Sequence, residues 1–239
     1  MNVDKSTYEL LEPIIDDIDT VINIDSVVDN GSGSYTLNVC NTLWATQGFF
    51  VTIQGNQYKI TAVVSDESIT VSGTVLPITG EFDLYPPVFY HGTISVAESE
   101  LNAKVNGGLL SIDKMPMIWL LEPVDETNDP DRGNSIARKS KCVLMFLTDA
   151  NFKQWVQDDH YEQAIKPMRK LFKALYDAVK RSGTINHDLI EPYETVDLPR
   201  FGRYTGYTGA QKAIFAQYEM SGTKVTITLP FIRSEETCC

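Results

Sequence analysis

The chain is poor in the residues that most protein chemistry relies on. Its 239 residues include 4 cysteines and 3 histidines. Cys40, Cys142, Cys238 and Cys239 are spaced neither as a disulfide framework nor as a CxxC metal site. Cys40 and Cys142 lie in apolar segments and are expected to be buried thiols. The final pair has the look of a prenylation end, but Glu235 and Glu236 precede it where a basic stretch belongs, so it reads as a frayed end. His91, His160 and His187 fall in no HExxH, HxH or Cys/His cluster, and neither a GxSxG elbow nor a P-loop signature occurs. The expectation is no catalytic residue, no cofactor and no metal.

Positive charge is also scarce. Lysine and arginine total 20 against 32 acids, a net charge of −12. General binding to nucleic acid or anionic membrane needs concentrated positive charge, which this balance argues against. Long hydrophobic runs are missing. Met117–Leu121 and Cys142–Leu147 are the longest and fall far short of a bilayer span. No basic segment followed by an apolar run opens the chain, so no leader and no membrane partner are expected, and the chain reads as soluble in a reducing cytosol.

The chain is nonetheless 43% apolar, enough to bury a sizeable core. Residues Ser6 to Val21 read as an amphipathic helix. Tyr8, Leu11, Ile14, Ile15 and Ile18 recur every three or four positions, and Ser6 with Glu9 forms a capping-box pattern. Pro13 predicts a kink or a late start. From residue 22 to 87 the texture changes to short β-branched and aromatic runs between turn residues. Five strands are expected: 24–28, 35–39, 49–54, 57–64 and 68–72, with turns at Asn30–Gly33, Gly55-Asn56 and Ser65–Glu67. Phe49, Val51, Ile53, Tyr58, Ile60, Ile69 and Val71 would alternate into the interior of a small barrel or sandwich.

Beyond the Pro86-Pro87 pair, residues 95–105 read as a short helix. Strands are expected at 117–121 and 140–148, and a polar loop at Glu122–Arg138. The acidic run Asp125–Gly133 within it does not match a calcium loop, because Gly133, Asn134 and Ser140 stand where ligands and the turn glycine are required. His160–Ser182 is the clearest helix: Tyr161, Ala164, Ile165, Met168, Leu171, Phe172, Leu175 and Val179 form one stripe, and Gly183 follows as a cap. A loop over 191–209 and a closing strand over 222–231 complete the reading. The expected fold is α+β: a small mixed or antiparallel sheet packed on two helices (residues 1–21 and 88–239), with an inserted all-β barrel or sandwich (residues 22–87).

Charge is divided unevenly. Residues 1–30 hold 8 acids and 1 lysine, whereas residues 160–182 hold 6 cations and 2 acids. Two solvated helix faces explain this simply. Head-to-tail association would use the same split, with Glu9, Glu12, Asp16 and Asp17 of one subunit meeting Lys166, Arg169, Lys170 and Lys173 of the next.

With the β-region set aside, the element order over residues 115–232 resembles the neck and tail-terminator proteins of tailed bacteriophages. The stretches Cys142–Asp149, Tyr161–Arg169, Arg200-Phe201-Gly202, Ile214-Phe215 and Ser221–Phe231 look like phage structural proteins from Bacteroidetes hosts. The resemblance implies a structural subunit in a six- or twelve-fold ring of copies. It would join the portal or capsid vertex to the tail, with portal, adaptor or tail-tube proteins as partners. DNA would pass through the lumen without specific binding, and the protein would reside in the virion. The alternative is a β-rich accessory module that binds a protein or glycan through Trp44, Tyr35 and Tyr58.

Overall fold

The computed structural model describes residues 5–74, 80–93, 115–128, 136–151, 153–202 and 219–232. Helix α1 (Thr7–Asp16) starts where the pattern places it. Ser6 N–H donates to the Glu9 carboxylate at 2.6 Å, and Glu9 N–H donates back to Ser6 Oγ at 3.4 Å. These two bonds satisfy donors that a helix start otherwise leaves open. Leu10, Leu11, Ile14 and Ile15 are buried at helical spacing. Pro13 does not delay the start; the helix ends three residues after it.

Seven strands follow: β1 (Val21–Ile24), β2 (Ser26–Gly31), β3 (Ser34–Asn38), β4 (Phe50–Ile53), β5 (Asn56–Val64), β6 (Ser68–Ser72) and β7 (Gly80–Asp83). They form one sheet in the order β1-β7-β4-β5-β6-β3-β2. The two edge strands, β1 and β2, are separated in the chain by Asp25 alone. Opposite edges joined by one residue require the sheet to curl on itself, and it makes a nearly closed barrel. Phe49, Val51, Ile53, Tyr58, Ile60, Ile69 and Val71 are all buried, joined by Ile22, Tyr35, Leu37 and Phe82. The β4–β5 turn falls one residue earlier than expected. Gln54 and Gly55 take φ of 50° and 79°, the paired positive values of a tight hairpin turn.

The second sheet contains β8 (Val88–Gly92), β9 (Met117–Asn128), β10 (Ile136–Asp149), β11 (Glu194–Gly202) and β12 (Glu219–Ile232), in the order β11-β12-β10-β9-β8. Only β8 and β9 run parallel. Gly222 is required at its place, because a Cβ there would lie 1.9 Å from the Phe146 carbonyl oxygen. Helix α2 has three contiguous pieces: an α-turn Gln157–His160, a π-turn Tyr161–Ile165 and a regular helix Lys166–Arg181. The wide turn precedes Pro167, which has no N–H to give, and Lys166 N–H reaches back to Tyr161 O. The apolar stripe of α2 lies on β10 and β12, and Phe172 meets Phe146 edge-on at 5.5 Å. Gly183 follows the helix at φ 61°.

The expected small sheet packed on two helices is therefore not the fold. Of the described residues 51% are strand and 21% helix, with a barrel-like seven-stranded sheet as the larger element. The error lies in the polar segments. Glu122–Arg138 reads as a loop, yet Glu122–Asn128 and Ile136–Arg138 extend two paired strands. Glu194–Gly202 lies in the expected second loop and pairs with β12. A backbone ladder holds such residues in a strand even where their side chains face water, so apolar alternation is lost while the strand continues. The helix expected over 95–105, residues 129–135 of the expected loop and the Cys238-Cys239 end lie outside the described residues.

Candidate functional site

The charged residues assigned to a subunit contact fall into two groups. Several are paired within the chain. Arg169 grips Asp197 of β11 with two bonds, Nε to Oδ1 at 3.0 Å and Nη2 to Oδ2 at 2.6 Å. Hydrogen bonding to that carboxylate, first among several effects, raises the guanidinium pKa. Lys170 Nζ donates to Asp66 and Thr42 of the barrel, both at 2.7 Å. Lys166 pairs with Glu162 one turn back at 3.0 Å. Arg181 Nη2 donates to the Asp17 carbonyl at 3.0 Å, tying the end of α2 to the end of α1. Glu9 serves the α1 cap, and the Ser6 backbone N–H is the main cause of its lowered pKa. Glu12, Asp16 and Lys173 make no ion pair among the described residues. Lys173 borders a cleft of about 400 Å³ between α2 and the barrel, with Asp19, Cys40, Asp66 and Asp177 on its walls.

Helix α2 is thus a strut between two β-bodies, and its cations are the ties. Sequence reading found the cations but not their partners Asp66 and Asp197. Each partner lies in a different strand region, and no local spacing links them to the helix.

The histidines do not assemble a reactive centre. His160 is fully buried, and its Nδ1 lies 2.9 Å from Ser221 Oγ. Ser221 in turn donates its one hydroxyl proton to the Pro199 carbonyl at 2.6 Å. A serine so occupied, and with no exposed surface, is a structural bridge between β12, β11 and α2 and not a nucleophile awaiting substrate. His91 stacks on Tyr8 at 3.9 Å and meets Glu122 at 3.1 Å. Among the described residues no group of three or more His, Cys, Asp or Glu is placed to hold a metal.

One buried polar cluster had no signal in the sequence. Arg138 is 3% exposed. Its Nη1 donates to Glu126 at 3.2 Å and to the Lys5 carbonyl at 2.8 Å, while Nε and Nη2 have no hydrogen-bond partner among the described residues. Thr7 Oγ1 donates to the same Glu126 and lies 2.9 Å from Ser140 Oγ. The cluster joins the first turn of α1 to the β9–β10 hairpin. Beside it, burial and then the Glu126 charge push the Cys142 thiol up to about 12, so it stays protonated. Cys40, expected to be buried, is exposed, because it stands in the turn just past β3. Trp44, Tyr35 and Tyr58, the aromatics proposed as a glycan platform, are 2%, 7% and 1% exposed and belong to the core.

No family model, curated protein or solved structure matches this chain.

Proposed function

We propose that this chain is a structural building block of the neck or tail of a tailed bacteriophage, assembled as a ring of copies between the portal or capsid vertex and the tail. The observation that carries the reading is the strut. Charge pairs at Asp66 and Asp197, with the Arg181 bond to the Asp17 carbonyl, tie one helix to the barrel, the second sheet and α1 and stiffen the block. Stiffness of this kind suits a load-bearing subunit better than a hinged enzyme. The element order and segment resemblance over residues 115–232 point to the same setting. Because Arg169, Lys170 and Arg181 are held internally, subunit pairing by charge rests on Glu12 and Asp16 on one side and Lys173 on the other.

Negative-stain electron microscopy of the purified chain, alone and mixed with a phage portal or tail-tube complex, tests the reading. Rings or ring-shaped collars are expected, and Lys173→Glu should weaken them more at low salt than at high. If no assembly forms in either condition, the reading fails.

A further inference from the structure

The described chain exposes nine large apolar side chains, and four of them lie in or beside one strand. Val196 lies in β11 and Tyr193 directly precedes it. Tyr161 neighbours Arg169, the residue that holds Asp197 of β11. Val156 begins the helical turn packed on β11. Strand β11 is also an edge: its only neighbour among the described strands is β12. Pro192 and Pro199 bracket the stretch Glu194–Leu198, a row of five residues whose outer side pairs with no strand among the described residues. An open strand edge with apolar flanks is a template for another strand.

We infer that β11 pairs with β11 of a second copy, antiparallel about a two-fold axis centred on Val196, so that two five-stranded sheets continue as one. The two-fold runs normal to the sheet, because that orientation keeps each residue on its own face. Such an axis allows only registers centred on a residue. Centring on Asp197 would set two aspartates face to face. Centring on Val196 uses all five residues and sets no acid against an acid. Val196 meets its own copy, Thr195 meets Asp197, and Glu194 meets Leu198. Asp197 arrives already neutralised by Arg169, and the Thr195 hydroxyl of the mate stands opposite it. On the helix side, Tyr161 and Val156 of the two copies approach each other across the axis. The pairing is isologous and closes at two copies. It is separate from any ring contact and does not depend on the chain being a phage component.

Sedimentation of the full chain across a concentration series, together with cysteine crosslinking, decides the matter. At concentrations below those at which rings form, the wild type is expected to show a monomer–dimer equilibrium. Val196→Lys sets lysine against lysine at the axis and should weaken the dimer roughly tenfold or more, with circular dichroism and melting unchanged. In a background with Cys40, Cys238 and Cys239 replaced by serine, Val196→Cys should form a disulfide dimer on mild oxidation. Directly opposed residues bring their Cβ atoms to about 4.5–5.5 Å. Glu194→Cys, displaced from its own copy by several residues, should not crosslink. A wild type that stays monomeric overturns the proposal. So does a dimer that survives Val196→Lys, or equal crosslinking at 194 and 196.

Discussion

Lys170 Nζ stands 2.7 Å from both Asp66 Oδ1 and Thr42 Oγ1, so one helix cation holds two turns of the barrel at once. Burial tends to raise the Asp66 pKa, but hydrogen bonds from Lys170 and the Thr42 backbone outweigh it and hold the carboxyl below its usual range. The stability from this tie is present above the unfolded value of 3.8 and is lost as pH falls through the lower folded value. The pair is half exposed, so its worth is modest. Lys170→Met is expected to cost about 0.5–1 kcal/mol in urea unfolding at neutral pH. The difference from wild type should shrink as the acid transition is approached. An equal difference at all pH values would assign the loss to packing and not to charge.

The Glu126–Arg138 pair predicts an asymmetry. Glu126→Ala leaves a buried guanidinium with no carboxylate and is expected to cost about 3 kcal/mol. Arg138→Met removes a buried charge with two nitrogens that have no hydrogen-bond partner among the described residues, so its cost should stay within about 1 kcal/mol of zero. The double variant should recover most of the Glu126→Ala loss. Chemical denaturation of the four proteins measures all three terms, and additive effects would show that the two groups do not interact.

His160 predicts a pH effect of definite sign. Burial first, and the Arg200 charge second, hold its pKa below the ordinary 6.5. In the unfolded chain it takes up a proton as pH drops through that value, whereas in the folded chain it does so only at lower pH. Stability should therefore fall as pH drops through the unfolded value of 6.5 toward the lower folded value. His160→Asn can still meet Ser221 Oγ and should flatten this slope even if it lowers the absolute stability. Identical slopes in the two proteins would remove His160 as the cause.

Local pattern made part of the fold legible. The Ser6–Glu9 cap, the stripe Ala164 to Val179 and the alternation Ile53, Tyr58, Ile60, Ile69, Val71 are short-range signals, and each burial followed from them. Strands whose ladder partner is distant gave no such signal. Val21–Ile24 is held by Gly80–Asp83, far along the chain, and Glu122–Asn128 is a strand whose own side chains are mostly wet. The candidate site divided in the same way. Composition showed the cations of α2, whereas Asp66 and Asp197 became their partners only through tertiary packing. The self-complementary row Glu194–Leu198 between two prolines was present in the sequence, but only the sheet order shows that it is an edge.

The path of the chain into and out of the barrel has a consequence for change over time. Val21 of the first strand pairs with Asp83 of the last, Leu84 N–H bonds the Thr20 carbonyl at 2.9 Å, and Thr20 Oγ1 meets Asp83 at 2.7 Å. The two ends of this long excursion therefore stand side by side at one point of attachment. A stretch tethered in this way can lengthen, shrink or be exchanged for a different module without shifting the helix before it or the strand after it. That makes the barrel the part of the molecule most free to diverge, and the α2 ties at Lys170 and Asp66 the features that a replacement would have to rebuild.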